Sequence, residues 1–426
     1  MPESFSSRAA IRAHQLSELG RLFAVLPENP FYRAKLALSS ACPESLEAFA
    51  QLPFTAKSEL VEDQRLHPPW GRNLSFPLRR YNRCHQTSGT SGAPLRWLDT
   101  PESWQWMMGS WREIYRAAGV TAEDRICFAF SFGPFIGFWL AFEAATDMGC
   151  LCLPGGGLSS AARIRMMLDL SATALCCTPT YAIRLGETAA AEGINLKSAA
   201  VRCIIVAGEP GGSIPATRAR LQELWPAARI FDHHGMTEVG PVTYECPNQP
   251  GRLHVVESSY LAEVVEVGGL NPLAPGQRGE LILTTLGRLG SPLLRYRTGD
   301  LVIAPDPAAP ACVCGRFEMA LEGGILGRVD DMVVVRGVNI YPAAVEELLR
   351  QCSEVAEYQV TITESGAMRE MAIQVEFLPS CAQPAEAAAR LATAFQVAFS
   401  LRVPVEAVPA GALPRFEMKA KRWVRQ

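Results

Sequence analysis

Residues 87–94 read Thr-Ser-Gly-Thr-Ser-Gly-Ala-Pro, and residues 328–346 read Arg-Val-Asp-Asp-Met-Val-Val-Val-Arg-Gly-Val-Asn-Ile-Tyr-Pro-Ala-Ala-Val-Glu. In the first string Ser88, Gly89, Thr90, Ser91 and Gly92 offer hydroxyl and backbone N–H donors, small enough for the main chain to approach a phosphate chain closely. Pro94 stiffens the exit. No basic residue lies inside the string, unlike the GxxxxGK[ST] phosphate loop, and an ordinary polar hairpin has the same composition. The second string reads as a short apolar strand running into a helix that begins at Pro342. Neither string decides the fold alone; their order along one chain does.

Between them the pattern alternates. Thr173 to Cys177, Val201 to Val206 and Ala228 to Phe231 read as buried strands. Arg163 to Leu170, Tyr181 to Glu192 and Pro215 to Trp225 read as helices. Ile126 to Leu140 is apolar but broken by Gly133, Pro134 and Gly137, and it is shorter than the roughly 20 residues of a membrane span. A buried strand, turn and helix fit it better. This alternation predicts α/β layers. Upstream, Ile11, Leu16, Leu19, Leu22 and Phe23 recur at helical spacing, and Thr55 is placed to cap a short helix. From 251 to 305, short strands such as Gly279–Thr285 between Gly/Pro turns predict a β-rich subdomain. After 327 the chain reads strand, helix, two strands, helix, strand, the first five being Met332–Val335, Pro342–Arg350, Glu357–Ile362, Glu370–Phe377 and Ala385–Phe399. The expected organisation is a large N-terminal domain of layered α/β subdomains plus a β-rich subdomain (1–326), and a small mobile α+β domain (327–426).

The chain has 426 residues, 48% hydrophobic and 19% charged, with a net charge of −3. Those values describe a folded globular protein and give no electrostatic case for nucleic acid. Thirteen cysteines without a framework, and an N-terminus lacking a basic start and an apolar stretch, predict reduced thiols in a cytoplasmic protein with no membrane attachment.

Four further strings are Gly208-Glu-Pro210 with Asp232-His-His-Gly-Met-Thr-Glu-Val-Gly240, Tyr296-Arg-Thr-Gly-Asp300, Gly327-Arg-Val-Asp-Asp331, and Leu413-Pro-Arg-Phe-Glu-Met-Lys-Ala-Lys-Arg422. With the loop at 88–92 they form an ordered series, and from about residue 52 to 422 the chain resembles the adenylate-forming superfamily of acyl-CoA ligases, in its phenylacetate-CoA ligase branch. The resemblance implies two steps: a carboxylic acid and ATP give an acyl-adenylate and pyrophosphate, then the acyl group passes to a thiol, that of coenzyme A. It implies that the 88–92 loop, Gly208, Glu209, Pro210, Asp232, His234 and Gly235 face ATP. Thr237 would contact phosphate and Glu238 would hold Mg²⁺, a hard cation suited to carboxylate and phosphate oxygens. Asp300 would accept from the ribose hydroxyls, and Arg328 would contact ribose or phosphate. Asp330 falls at the hinge about which the C-terminal domain turns, and Gly337 along the pantetheine channel. Lys419 matches the catalytic lysine, with Lys421 close enough to compete for the assignment.

Two positions depart from the branch. His234 replaces a tyrosine that packs on adenine, and Met418 replaces a glycine. They keep a catalytically weakened, acyl- or nucleotide-binding homologue open; a separate alternative is loading of a carrier protein's phosphopantetheine arm in place of coenzyme A, which only the acceptor surface would distinguish. For the acid, Phe132, Phe135 and Trp139, with Tyr181 as another wall, are the expected lining, and Lys57 the expected contact to carboxylate or phosphate. The lack of charge there points to an aryl or apolar acid; aromatics at such spacing are also ordinary core. Cys246, His254, Cys312 and Cys314 suit a tetrahedral structural Zn²⁺, a set some branch members also carry, although reduced cysteines are often simply buried. A homodimer completes the expectations.

Overall fold

The computed structural model describes residues 5–36, 41–87, 94–130, 132–336, 338–365, 368–416 and 420–425. Its centre is a five-stranded parallel sheet. The order from one edge is Leu151–Pro154, Arg125–Phe128, Ala174–Cys177, Cys203–Val206 and Arg229–Asp232. Successive side chains in a strand point to opposite faces, and both faces here are apolar. Ile126, Phe128, Cys176, Ile205 and Phe231 enter one core; Cys127, Ala129, Leu175, Ile204, Val206 and Ile230 enter the other. The second core is closed by the helices Ser160–Asp169, Pro179–Ala191 and Pro215–Leu224. The first is shared with Arg8–Val25, Pro101–Ala117, Ile136–Asp147 and the β-rich region.

That β-rich region is an antiparallel four-stranded sheet, Tyr260–Val265, Arg278–Thr285, Tyr296–Ile303 and Gly327–Arg328. A second, three-stranded sheet pairs Thr243–Cys246 with Gln249–Val255 and Ala320–Glu322. Helix starts follow their caps: Thr178 and Ser159 accept from backbone N–H groups three residues on. Thr55 does not act as a cap. Its hydroxyl is buried, donating to the Leu294 carbonyl at 2.8 Å and meeting Tyr32 Oη at 3.1 Å. The helix Lys57–Leu66 instead has Ala56 at its N-cap, whose N–H donates to Glu59.

From Val333 onward a third core forms by itself. It comprises a hairpin (Val333–Val335, Val338–Ile340), the helices Pro342–Gln351 and Pro384–Phe399, and a four-stranded sheet. In that sheet Met368–Phe377 and Val355–Ser365 pair antiparallel, flanked in parallel by Val405–Val408 and Trp423–Arg425. The sequence pattern foresaw one strand where the hairpin stands, and Trp423–Arg425 is too short to show a period. All thirteen cysteines are free thiols. Among the described residues no helix is long and apolar enough to cross a membrane.

Candidate active site

Ligands of open parallel sheets settle outside the carboxyl ends of the strands. Here the strand Arg229–Asp232 runs into 233–241, a tight return in which Gly235 pairs with Pro241. The return is fixed by its backbone: His234 N donates to Thr243 Oγ1 at 2.8 Å, and the His234 carbonyl accepts from Val242 and Thr243. The imidazole is thereby aimed at the antiparallel sheet, where its Nε2 lies 2.9 Å from Asp300 Oδ2. Asp300 stands opposite Arg328 in register, and Arg328 Nη1 donates to its other oxygen at 3.1 Å. Arg328 also holds Asp330 through Nε and Nη2 at 2.8 and 3.1 Å. Gly299 makes this approach feasible, since its φ is +75° and a Cβ there would lie 2.9 Å from Arg328 Nη2. Burial pushes the Asp300 carboxyl up, but His234, Arg328 and the Thr298 hydroxyl outweigh it and hold it below the usual carboxylate range. Asp300 is therefore ionised at neutral pH.

Glu238 sits deeper, 4% exposed. Lys57, first residue of its helix, lies 3.1 Å from Glu238 Oε1, and Tyr296 Oη approaches the same oxygen at 3.4 Å. The peptide units around Glu238 are held by a residue the sequence reading missed. Arg288, fully buried, donates to the carbonyls of Thr237 and Glu238, both at 2.8 Å, and makes a fork–fork pair with buried Asp99 at 2.7 and 2.6 Å. The signal was present as an arginine and an aspartate within apolar strings, but the two are 189 residues apart.

Gly208, Glu209 and Pro210 form the turn after Cys203–Val206. This turn lies tight against the helix Pro179–Ala191, where a Cβ on Gly211 would meet Pro179 at 2.7 Å. Glu209 reaches two backbone amides, accepting from Thr180 N at 2.9 Å and Ala420 N at 3.0 Å. Asp232 faces inward, where Ser213 donates to it, and burial pushes its carboxyl up to about 6. Ser88, Gly89, Thr90, Ser91, Gly92, Gly337 and Lys419 lie outside the described residues. The flanks of the 88–92 loop form a hairpin closed by Thr87 N to the Leu95 carbonyl, and Gln86 N donates to the Pro134 carbonyl.

The aromatic residues divide. Phe132 packs edge-on to Trp139 (4.9 Å between ring centroids), and against Phe130 and Phe142; Phe135 is half-buried at the head of the Ile136–Asp147 helix. Tyr181 does not join them. It is buried in the other core, across the central sheet, with its hydroxyl between Ser160 and Arg163. The strand alternation explains the correction, since the helix that starts at Thr178 covers the opposite face.

The ligand atoms of Cys246, His254, Cys312 and Cys314 all lie within 4.8 Å of one another. Cys246 and Cys312 sulfurs are 3.7 Å apart, and Cys314 Sγ is 3.5 Å from His254 Nε2. Zn–S bonds of about 2.3 Å place two thiolates on a tetrahedral ion about 3.8 Å apart, so this spacing fits zinc. The second imidazole nitrogen, Nδ1, is 3.3 Å from the Glu318 carbonyl, the outer partner such a ligand needs.

The family model for AMP-binding enzymes matches residues 86–287, and that for the AMP-binding enzyme C-terminal domain matches 337–426. The phenylacetate-coenzyme A ligase of Thermus thermophilus is 32% identical over 376 residues, 87% of this chain and 82% of the relative. That of Escherichia coli is 28% identical, over 92% and 89%. Among solved structures, 2-hydroxyisobutyryl-CoA ligase in the postadenylation state with 2-HIB-AMP superposes with a TM-score of 0.91 (28% identity, 99% and 90% coverage). The same enzyme with 2-HIB-AMP and CoA in the thioesterification state gives 0.73, at 29% identity and 98% and 90% coverage. At nearly equal identity and coverage, the chain thus follows the first arrangement much more closely than the second.

Proposed function

The chain belongs to the phenylacetate-coenzyme A ligase family of AMP-binding enzymes, and on that premise we propose that it activates an aryl carboxylic acid with ATP and passes the acyl group to the thiol of coenzyme A. In the first step the acid's carboxylate oxygen attacks the α-phosphorus and pyrophosphate leaves. In the second the coenzyme A sulfur attacks the acyl carbon, and AMP leaves. Catalysis of this kind is largely positioning and charge stabilisation.

The observation that carries the reading is that Lys57–Glu238 and His234–Asp300–Arg328, from strings far apart in sequence, meet on one strand, Tyr296–Ile303: Tyr296 Oη reaches Glu238 and Asp300 holds His234 and Arg328. In this reading Asp300, ionised, accepts from the ribose hydroxyls, and Arg328 orients it. Glu238 and Thr237 hold Mg²⁺ and phosphate; bound there, the ion neutralises phosphate charge. Gly208, Pro210 and Gly235 border the nucleotide, and Asp232 supports that border from behind. Phe132, Phe135 and Trp139 border an aryl acid, with Lys57 toward its carboxylate. Lys419, in the C-terminal unit (327–426), meets the charge that builds between carboxylate and α-phosphate. Asp330 serves as hinge and Gly337 lines the pantetheine path. Cys246, His254, Cys312 and Cys314 hold a structural zinc that ties Thr243–Cys246 and Gln249–Val255 to the 312–314 turn. A cytoplasmic homodimer is the expected form.

The test is ATP–pyrophosphate exchange against phenylacetate, benzoate, 2-hydroxyisobutyrate and short aliphatic acids. Exchange with an aryl acid, followed by CoA-dependent AMP release, is the expected result. Exchange without CoA turnover would move the acceptor to a carrier protein, and exchange only with aliphatic acids would overturn the aryl assignment.

A further inference from the structure

The described residues on either side of Lys419 in sequence, 411–415 and 420–422, meet three carboxylates. On its N-terminal side Glu376 accepts from Gly411 N at 2.9 Å, from Leu413 N, and from both terminal nitrogens of Arg415. On its C-terminal side Glu357 accepts from Arg422 Nε at 2.6 Å. Both acids belong to the C-terminal unit itself and keep their partners wherever that unit goes. The third, Glu209, belongs to the N-terminal unit. It accepts from Ala420 N, the amide next to Lys419 in sequence, while its other oxygen is pinned by Thr180 N. Arg422 Nη1 comes within 3.4 Å of Thr180 Oγ1 and adds a second tie at the same point. The two oxygens of Glu209 thus reach main-chain amides on both sides of the boundary, Thr180 in the N-terminal unit and Ala420 in the C-terminal one.

We propose that Glu209 is a positioning residue: it latches Ala420, the residue after Lys419 in sequence, to the N-terminal unit for acyl-adenylate formation and is released for thioester formation. The proposal rests on the ligase reading above. A carboxylate accepting from two amides is charge-assisted and directional, and it can engage Ala420 only with the C-terminal unit in the present placement. A contact made in one of two arrangements shifts their populations by its own differential strength. Loss of it therefore weakens the first half-reaction and leaves the second unharmed.

The experiment compares the full-length enzyme with Glu209→Ala and Glu209→Gln. Acyl-adenylate formation from phenylacetate and ATP, thioester formation from supplied phenylacetyl-adenylate and CoA, and equilibrium ATP binding are measured. Hydrogen exchange of the peptide holding the Ala420 amide is followed in parallel. Adenylation is expected to fall about tenfold or more in Glu209→Ala. Glu209→Gln, which keeps one oxygen acceptor, should fall between. Thioester formation and the ATP dissociation constant should stay within about twofold of wild type, and exchange at Ala420 should quicken in both variants. ATP binding that weakens in step with adenylation would make Glu209 a nucleotide ligand and overturn the latch. So would equal loss in both half-reactions, or unchanged protection at Ala420. If wild type activates no acid, the ligase reading fails, and the exchange arm alone decides whether Glu209 holds the C-terminal segment.

Discussion

Replacing Arg288 by methionine should damage both stability and adenylation, in amounts the geometry sets. Arg288 and Asp99 are both wholly buried and joined by two short charge-assisted bonds, with the guanidinium also over the Trp97 ring at 5.3 Å. Removing one partner of such a pair leaves a buried uncompensated charge, at a cost of about 3–5 kcal/mol. The Thr237 and Glu238 carbonyls lose their donor as well, so about 5 kcal/mol is expected for Arg288→Met. At about 2 °C per kcal/mol for a unit of this size, the main thermal transition should fall by about 10 °C. Adding Asp99→Asn removes the stranded charge and should restore about 2 kcal/mol. Calorimetry of wild type, both single variants and the double variant closes the cycle. The released carbonyls flank Glu238, and misplacement by about 1 Å can cost on the order of 100-fold in rate. Acyl-adenylate formation at 20 °C, where the variant is still folded, should therefore drop by that order while ATP still binds. Arg288→Lys, which keeps charge without the fork, should fall between. An Arg288→Met enzyme within 1 kcal/mol of wild type, or a double variant no more stable than the single, would refute the reasoning about the buried pair. Undiminished adenylation in folded Arg288→Met would refute its link to Glu238.

Lys419→Ala should abolish acyl-adenylate formation yet spare thioester formation from supplied adenylate; if both survive at full rate, Lys421 is the lysine to replace next. Purified enzyme should contain one zinc per chain by atomic emission, and Cys312→Ser should lose the metal and lower the melting temperature; metal-free wild type with unchanged stability would return the four residues to ordinary core. Burial pushes the Glu376 carboxyl up, but Arg415 and the amides of Gly411 and Leu413 outweigh it and hold it down at about 2. Its folded pKa lies below the unfolded one, so its contribution is full above about pH 4.5 and fades as pH falls toward 2. The gap in melting temperature between wild type and Glu376→Gln should accordingly narrow from pH 5 to pH 3, and a gap that widens would contradict the assignment.

The layers were legible because their physics is local. Ile126 through Ala129 and Cys203 through Val206 are apolar on both faces, as a buried parallel strand must be, and the helices between them carry their own caps. The short strings around Glu238, Asp300 and Arg328 were legible as chemistry, and folding brings them together on the strand Tyr296–Ile303. What escaped was settled at long range. Thr55 reads as a cap, but its hydroxyl is taken by the Leu294 carbonyl 239 residues away. Tyr181 reads as a pocket aromatic, yet the strand before it and the helix it joins send it to the opposite core. His234 reads as the adenine-packing position, and its string does not announce that its Nε2 lies 2.9 Å from Asp300 Oδ2. No local pattern announces that Arg288 pairs with Asp99, or that Glu209 meets Ala420.

These long-range carboxylates bear on how such an enzyme switches. A domain that must occupy two placements cannot be held strongly in either. The helix Pro342–Gln351 packs on Pro215–Leu224 across the boundary, and Glu209–Ala420 and Thr180–Arg422 are two polar ties beside it. One charge-assisted bond and one weaker contact are together worth roughly 2–3 kcal/mol. That biases two arrangements by a factor of about 30 to 150, enough to favour one for catalysis and small enough for substrate contacts to reverse. Glu376 and Glu357, by contrast, hold residues 411–415 and Arg422 within their own unit and need not let go. The division of labour is physical: two acids hold the flanks of Lys419 within the C-terminal unit, and a third, across the boundary, ties Ala420 to the N-terminal unit.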